Sequence, residues 1–392
     1  MFSQLSPAQP DPILSLSLIY NADQRDHKMD LGIGVYRNNH GQTPIMAAIS
    51  QAEQRLLQTQ TTKSYVGLAG SEVFNQCMID LLLADTSAHG RTAGVQTPGG
   101  SGALRMLADL MHVANANTTV WLTDLSYVNH RPVMEAAGLK VKYYPYFDRD
   151  TKQVNTDAML SALAQAGAND VVLLHGCCHN PTGADISFEA WQAITVLANN
   201  NGFLPFVDMA YLGFGDGLEK DSAGLKFMAD NIEEMMIATS CSKNFGLYRE
   251  RTGAALLVGD TLPNAQKAKG RILTLARASY TMPPDHGAAL VADILTSSML
   301  TAVWKQELIM MQQRIIGLRQ NLVQTLIAKG CDQFNFIADH KGMFSMTGLS
   351  PEKIMRLRDE FAIYAVGDGR INVAGLQEQQ IDALATALIT VA

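Results

Sequence analysis

Between about residues 97 and 260, short apolar runs alternate with longer stretches of helical periodicity. Residues 119–122, 171–174, 203–207, 235–238 and 254–258 each read as a buried strand, since a strand covered on both faces loses its polar alternation. Residues 103–113 read as a helix, with Leu104, Leu107, Ala108 and Met111 on one face at the three-four spacing. Strands alternating with helices predict an α/β fold with a mainly parallel sheet covered by helices. A long helical pattern follows over residues 300–328, and then strand-like pieces at 334–337 and 370–373. The pattern predicts a large domain over residues 36–300 and a smaller α/β domain from residues 1–35 and 301–392. Pro7, Pro10 and Pro12 are expected to break any helix near the start, and that segment to pack on the small domain or on a neighbouring subunit. There is no internal repeat and no low-complexity tract.

Composition narrows the class. A chain of 392 residues, 47% hydrophobic, is long enough for two domains, because single cores rarely grow beyond about 250 to 300 residues. The net charge of -7 comes from scattered acids and bases. No Lys/Arg block could follow a phosphate backbone or an anionic membrane, so nucleic acid is not an expected partner. No apolar run approaches the roughly 20 residues of a membrane span, and the first residues lack a leader pattern. A cytoplasmic location is expected. Five cysteines, with Cys177 and Cys178 adjacent, suggest reduced thiols. Neither they nor the nine histidines show a metal-ligand spacing, so no metal is expected.

Three stretches carry chemistry. Thr97-Pro98-Gly99-Gly100-Ser101-Gly102 stands just before the helix expected from about Ala103. Inward-turned amides, a hydroxyl and a helix N-terminus suit a phosphate; a plain flexible turn is the alternative. The spacing matches neither the dinucleotide nor the nucleoside-triphosphate fingerprint. In the second stretch, residues 240–246, Lys243 follows a predicted strand, with Ser240 and Ser242 beside it and Arg251 eight residues on. A lysine at the carboxyl rim of a parallel sheet can form a Schiff base, and two serines with an arginine can hold a phosphate. Third, Asp208 and Asn180 follow two other predicted strands. Asp208 could keep a pyridine nitrogen protonated and make the ring an electron sink, while Asn180 and Tyr211 could bond a phenolic oxygen on that ring. Taken singly, Asp208 is equally readable as a helix cap and Asn180-Pro181 as a turn.

Together with residues 31–36, 175–183, 208–211 and 369–375, these motifs make the chain resemble the class I aminotransferases of the aspartate and aromatic amino-acid branch, fold type I pyridoxal-phosphate enzymes. The resemblance spans nearly the whole chain and implies pyridoxal 5'-phosphate as cofactor. It makes Lys243 the Schiff-base lysine that also moves the proton, Asp208 the partner of the ring nitrogen with His130 behind it, and Asn180 and Tyr211 the contacts to the ring oxygen. Gly100, Ser101, Ser240, Ser242 and Arg251 fall at the phosphate. Tyr65 matches a tyrosine that reaches the neighbouring subunit's phosphate, which implies a homodimer with shared active sites. Arg370 resembles the arginine that grips the substrate's α-carboxylate, and Arg277 the one lent by the other subunit to a second carboxylate; a structural ion pair is the alternative for each. Asn129 matches a side chain near the α-carboxylate, and Gly34 and Val35 a loop over the substrate. Two departures stand out: Tyr127 replaces the usual stacking tryptophan, and Ser101 a common threonine.

The implied substrates are amino acids and 2-oxo acids, with 2-oxoglutarate and glutamate as one pair. Residues 240–253 and 340–345 look closer to bacterial aromatic aminotransferases, so aromatic amino acids with aspartate overlap are expected. A dedicated aspartate aminotransferase is the alternative. More remote are a β-lyase or decarboxylase, or a cofactor-binding regulator, which needs a DNA-binding module that the first 30 or so residues are too short to supply.

Overall fold

In the computed structural model, which describes residues 1–7 and 12–392, the chain divides into two compact units. One comprises Pro44–Gln313, the other Met1–Thr43 with Arg314–Ala392. Eleven strands lie among the described residues: β1 Met29–Asp30, β2 Thr92–Pro98, β3 Thr119–Thr123, β4 Lys140–Tyr144, β5 Asp170–His175, β6 Leu204–Met209, β7 Met235–Ser240, β8 Thr252–Val258, β9 Phe344–Met346, β10 Ile363–Tyr364 and β11 Arg370–Asn372.

The larger unit is built on a seven-stranded sheet of order β2-β8-β7-β6-β5-β3-β4. All its strands run one way except β8, which is antiparallel to both β2 and β7. Helices shield the sheet, and β7 and β8 are buried along their whole length. That double burial is why these strands appear in the sequence as unbroken apolar runs. Two strands were not legible in that way. In β2 the buried residues include Thr92, Gln96 and Thr97, and edge strand β4 exposes Lys140. Lysine on an edge discourages pairing with another chain. The core on one side of the sheet joins Leu104, Leu107 and Met111 to Val120, Leu173, Phe206 and Leu257.

In the smaller unit β1 pairs in parallel with β10 and β9 antiparallel with β11. Its core gathers Leu318, Leu322, Leu326, Ile354, Leu357, Ile371, Leu384 and Leu388. Two expectations are corrected here. Residues expected as a strand at 334–337 form mostly a 3-10 turn, Asn335–Ala338. The early prolines do not exclude a helix: Pro12 opens the helix Pro12–Ala22, a position where its missing N–H costs nothing. Pro10 lies outside the described residues. No single helix among those described is long and apolar enough to cross a membrane.

Candidate active site

The carboxyl ends of the central strands bring the chemistry-bearing residues of the larger unit together. Asp208 lies inside β6, in register with His175 at the end of β5. Its carboxylate accepts from His130 Nε2 at 2.8 Å, so Asp208 is not a helix cap. His130 opens the helix His130–Ala136, fully buried, and the Ser126 hydroxyl meets its Nδ1 at 2.8 Å and His175 Nε2 at 3.4 Å. The His175 and His179 ring centres lie 4.0 Å apart behind it, with the rings tilted at 37° to each other. Burial, reinforced by neighbouring histidines, pushes His175 down to about 3 and His179 well below its usual range, so both are neutral at pH 7. Burial works to raise the Asp208 pKa, yet the His130 hydrogen bond, with the Lys243 charge beyond it, holds it below the usual carboxylate range. Asp208 is therefore a carboxylate.

Asn180 stands at a cis bond to Pro181, and its Nδ2 donates to the Tyr211 hydroxyl at 3.2 Å. Two groups so close can serve one ligand oxygen. The turn after Tyr211 is held by Asp221, whose carboxylate accepts from the amides of Gly213, Gly215 and Asp216. Those oxygens also lie near the Cys177 and Cys178 thiols, which burial keeps protonated. All five cysteines are free.

Lys243 follows β7 by three residues, and its Nζ lies 4.7 Å from the Tyr211 ring centre. Burial lowers its pKa to about 8; Asp208 opposes this shift and Arg251 adds to it. A useful fraction of the amine is thus neutral, and nucleophilic, near pH 7.

Beside the lysine is a cradle made by strand register. Pro98 on β2 pairs with Thr252 on β8, and Ser240 on β7 pairs with Gly253. The antiparallel direction of β8 therefore delivers Arg251, just before it, to the same rim. The glycines of residues 99–102 are not a flexible turn: the helix begins at Gly99, four residues earlier than its apolar periodicity indicates, and runs to Ala114. Gly99 has φ +72, and a Cβ there would sit 2.6 Å from Arg251 Nη2; one on Gly100 would sit 3.0 Å from Ser240 Cβ. Gly100 and Ser101 thus present first-turn amides, and a hydroxyl, to whatever lies between them, Ser240, Ser242 and Arg251. An anion suits that place.

Tyr127 is half-buried with its ring edge-on to His130 at 5.3 Å, and Asn129 stands just before the same helix without a side-chain capping bond. Tyr65, 89% exposed, and Arg277, exposed in the last turn of the helix Leu262–Ser279, do not join the cluster through any hydrogen bond or ion pair among the described residues. In the smaller unit Arg370 is buried on β11, its Nη2 donating to Gly32 O at 2.9 Å. Gly34 lies close to Phe344, whose Cζ a Cβ would approach to 2.9 Å. Sequence reading did not single out Ser126 or His175 as parts of the Asp208 network. The available signal was a histidine ending the apolar run beside the one that ends in Asp208.

The aminotransferase class I and II family model matches residues 26–388, and the chain belongs to that family. An aromatic-amino-acid aminotransferase of Paracoccus denitrificans is 45% identical over 392 residues, with all of both chains covered. The aspartate aminotransferase of Escherichia coli is 44% identical, again over the full length of both. Among solved structures, the aromatic-amino-acid aminotransferase of Burkholderia pseudomallei covalently bound to pyridoxal phosphate superposes with a TM-score of 0.97 at 38% identity, covering 100% of this chain and 99% of that one. The α/β, fold type I architecture expected from the motifs is the one found.

Proposed function

We propose that the protein is a pyridoxal-phosphate-dependent aminotransferase that exchanges amino groups between aromatic amino acids or aspartate and 2-oxoglutarate. The observation that carries this reading is the partly buried Lys243 amine beside an Asp208 carboxylate braced by His130 at 2.8 Å. The donor set fits the cofactor. Gly99 and Gly100 let Arg251 and Ser240 approach the start of the helix more closely than side chains there would allow, Asn180 and Tyr211 lie within hydrogen-bond reach of each other, and Asp208 is an anion suited to a ring N–H. When bound, the cofactor supplies an aldehyde that condenses with amines and a ring that accepts electrons from the substrate's Cα.

The chain's own groups then have distinct tasks. Lys243 Nζ, in its neutral form, would bind the cofactor's aldehyde covalently with release of water and, once freed by a substrate amine, would be the group that takes up and returns the substrate's Cα proton. Asp208 holds the ring-nitrogen proton, and His130 fixes the carboxylate's orientation. Asn180 and Tyr211 would hold the ring oxygen, and Tyr127 is the aromatic side chain that would face the ring. Arg370 would grip the α-carboxylate, and Asn129 and Gly34 are the other substrate contacts in this reading, one from each unit.

Arg277 and Tyr65 belong, in this reading, to the site of a second copy of the chain. Their exposure supports that, as does the exposure of Ile45 at 72% and Leu57 at 86%, large apolar side chains suited to burial in a homodimer. A cytoplasmic location goes with the free, mostly buried cysteines.

Arg277 and Arg370 provide the test. Removing one partner of a desolvated charged pair costs about 2 to 5 kcal/mol, on the order of 30-fold to several-thousand-fold in kcat/KM. Arg277→Ala is expected to cut aspartate and glutamate by that range and to spare phenylalanine and tyrosine; Arg370→Ala should depress all four. Single-turnover half-reactions measure both. Equal losses for aspartate and phenylalanine in Arg277→Ala would make Arg277 a structural residue and end the dual-substrate reading. The parent's own preference decides between the aromatic enzyme and the alternative, a dedicated aspartate aminotransferase.

Shared sites have a separate test. A coexpressed mixture of Lys243→Ala and Arg277→Ala chains should recover about a quarter of the parent activity on aspartate, because half the dimers carry one native site. No recovery above the Arg277→Ala dimer alone would assign Arg277 to its own chain's site.

A further inference from the structure

We propose that Arg319, acting through Phe344, is a positioning residue for Arg370, an inference that rests on the reading of Arg370 as the α-carboxylate ligand. Arg319 lies in the long helix Ser298–Ala328 and is only 2% exposed. Its Nη1 donates to Ile337 O at 3.2 Å and to the Ser345 hydroxyl. Its Nη2 donates to Lys341 O at 3.3 Å, Gly342 O at 2.7 Å and Phe344 O at 2.6 Å. A guanidinium is costly to bury unless its donors are met, and here they gather four carbonyls from one irregular segment. His340 Nδ1 adds a contact to the Ser345 hydroxyl at 3.1 Å.

The gathered segment leads directly into β9. Met346 pairs with Arg370 and Phe344 with Asn372, so Phe344 is the diagonal neighbour of Arg370 on the same face. Its ring centre lies 4.4 Å from Arg370 Cζ, within cation–π range. On the loop side, Arg370 Nη2 holds Gly32 O, while Asn372 Nδ2 holds Ile33 O at 2.6 Å and Val35 O at 2.8 Å. The guanidinium is therefore seated between an aromatic face and a clamped loop. Arg319 anchors the backbone that presents that face. A guanidinium fixed in advance loses less freedom when a carboxylate arrives, and binding is tighter for it.

The test uses the full-length holoenzyme and 3-phenylpropanoate, a carboxylate with an aromatic ring and no amino group, measured by calorimetry. Phe344→Leu and Arg319→Lys should each raise its Kd by about 3- to 30-fold, and raise KM for phenylalanine more than they lower kcat. Combined, Phe344→Leu and Arg319→Lys should give less than the product of their separate effects, as expected of residues acting along one line. If Arg319→Lys does not fold, Ser345→Ala, which removes one acceptor of Arg319 Nη1, takes its place with a rise in the same direction expected, and an unchanged Kd there overturns the Arg319 role. Should Arg370→Ala raise the Kd while Phe344→Leu leaves it unchanged, the positioning role is overturned and the reading of Arg370 stands. Should Arg370→Ala itself leave the Kd unchanged, that reading fails and the proposal falls with it.

Discussion

Lys243→Ala is expected to lower transamination by roughly 10^4- to 10^6-fold, because in the proposed mechanism one nitrogen supplies both the nucleophile and the proton carrier. The cofactor should still be retained without a covalent bond, since the proposed phosphate site of Gly100, Ser240 and Arg251 does not depend on the lysine. Stability should move the other way. Burial depresses the folded-state pKa of Lys243 from 10.5 to about 8. A depressed lysine contributes its stability only above the unfolded value, and loses it as pH falls through the folded one. At pH 7 the cofactor-free parent therefore carries a penalty of about 1 to 3 kcal/mol that the alanine variant lacks, less the lost packing of the side chain. Melting curves of the two cofactor-free proteins should thus converge, or cross in favour of the parent, as pH rises from 7 to about 10.5. A difference independent of pH would show that the amine is not desolvated. Borohydride reduction of the parent followed by peptide mapping checks the assignment directly; label on another lysine would end it.

Asp208→Asn should keep the cofactor and slow removal of the Cα proton by about 10^3-fold. The substitution preserves shape and leaves an oxygen to accept from His130 Nε2, which now lies 2.8 Å from the carboxylate, but it removes the charge. A unit charge pair at about 4 Å, with an effective dielectric constant of about 20, is worth about 4 kcal/mol, which corresponds to that factor in rate. Stopped-flow traces with saturating amino acid measure the step, and the bound cofactor is counted by absorbance after release. Near-normal proton removal in Asp208→Asn would leave Asp208 as an anchor for His130 only.

Much of the site lay open in the sequence because of where it sits. Lys243, Asp208 and Asn180 stand at or just past the carboxyl ends of β7, β6 and β5, strands buried on both faces that print as apolar runs. A chemically unusual residue at the end of such a run is at the rim where α/β sheets bind ligands, whatever the rest of the fold does. The same logic fails for β2 and β4, one rich in buried polar residues and the other an exposed edge. It also fails at residues 334–337, where apolar side chains pack from a 3-10 turn: a run of that length does not distinguish the two backbones.

Local pattern thus determined which segments are buried, and which residues stand at their ends. Only the tertiary structure decided who meets whom. His130 and Asp208 are 78 positions apart, and nothing near either names the other. Arg251 reaches the rim beside Ser240 only because β8 runs against its neighbours, so that Gly253 falls opposite Ser240. Arg319 looks like one more polar residue on a long helix, yet it is buried under the carbonyls of residues 337–344. The physical reason is common to all three. Hydrophobic periodicity records whether a side chain faces solvent or core, a property of its own few turns of chain, whereas a hydrogen-bond partner is chosen by strand order and direction, which are settled only when the whole sheet has formed.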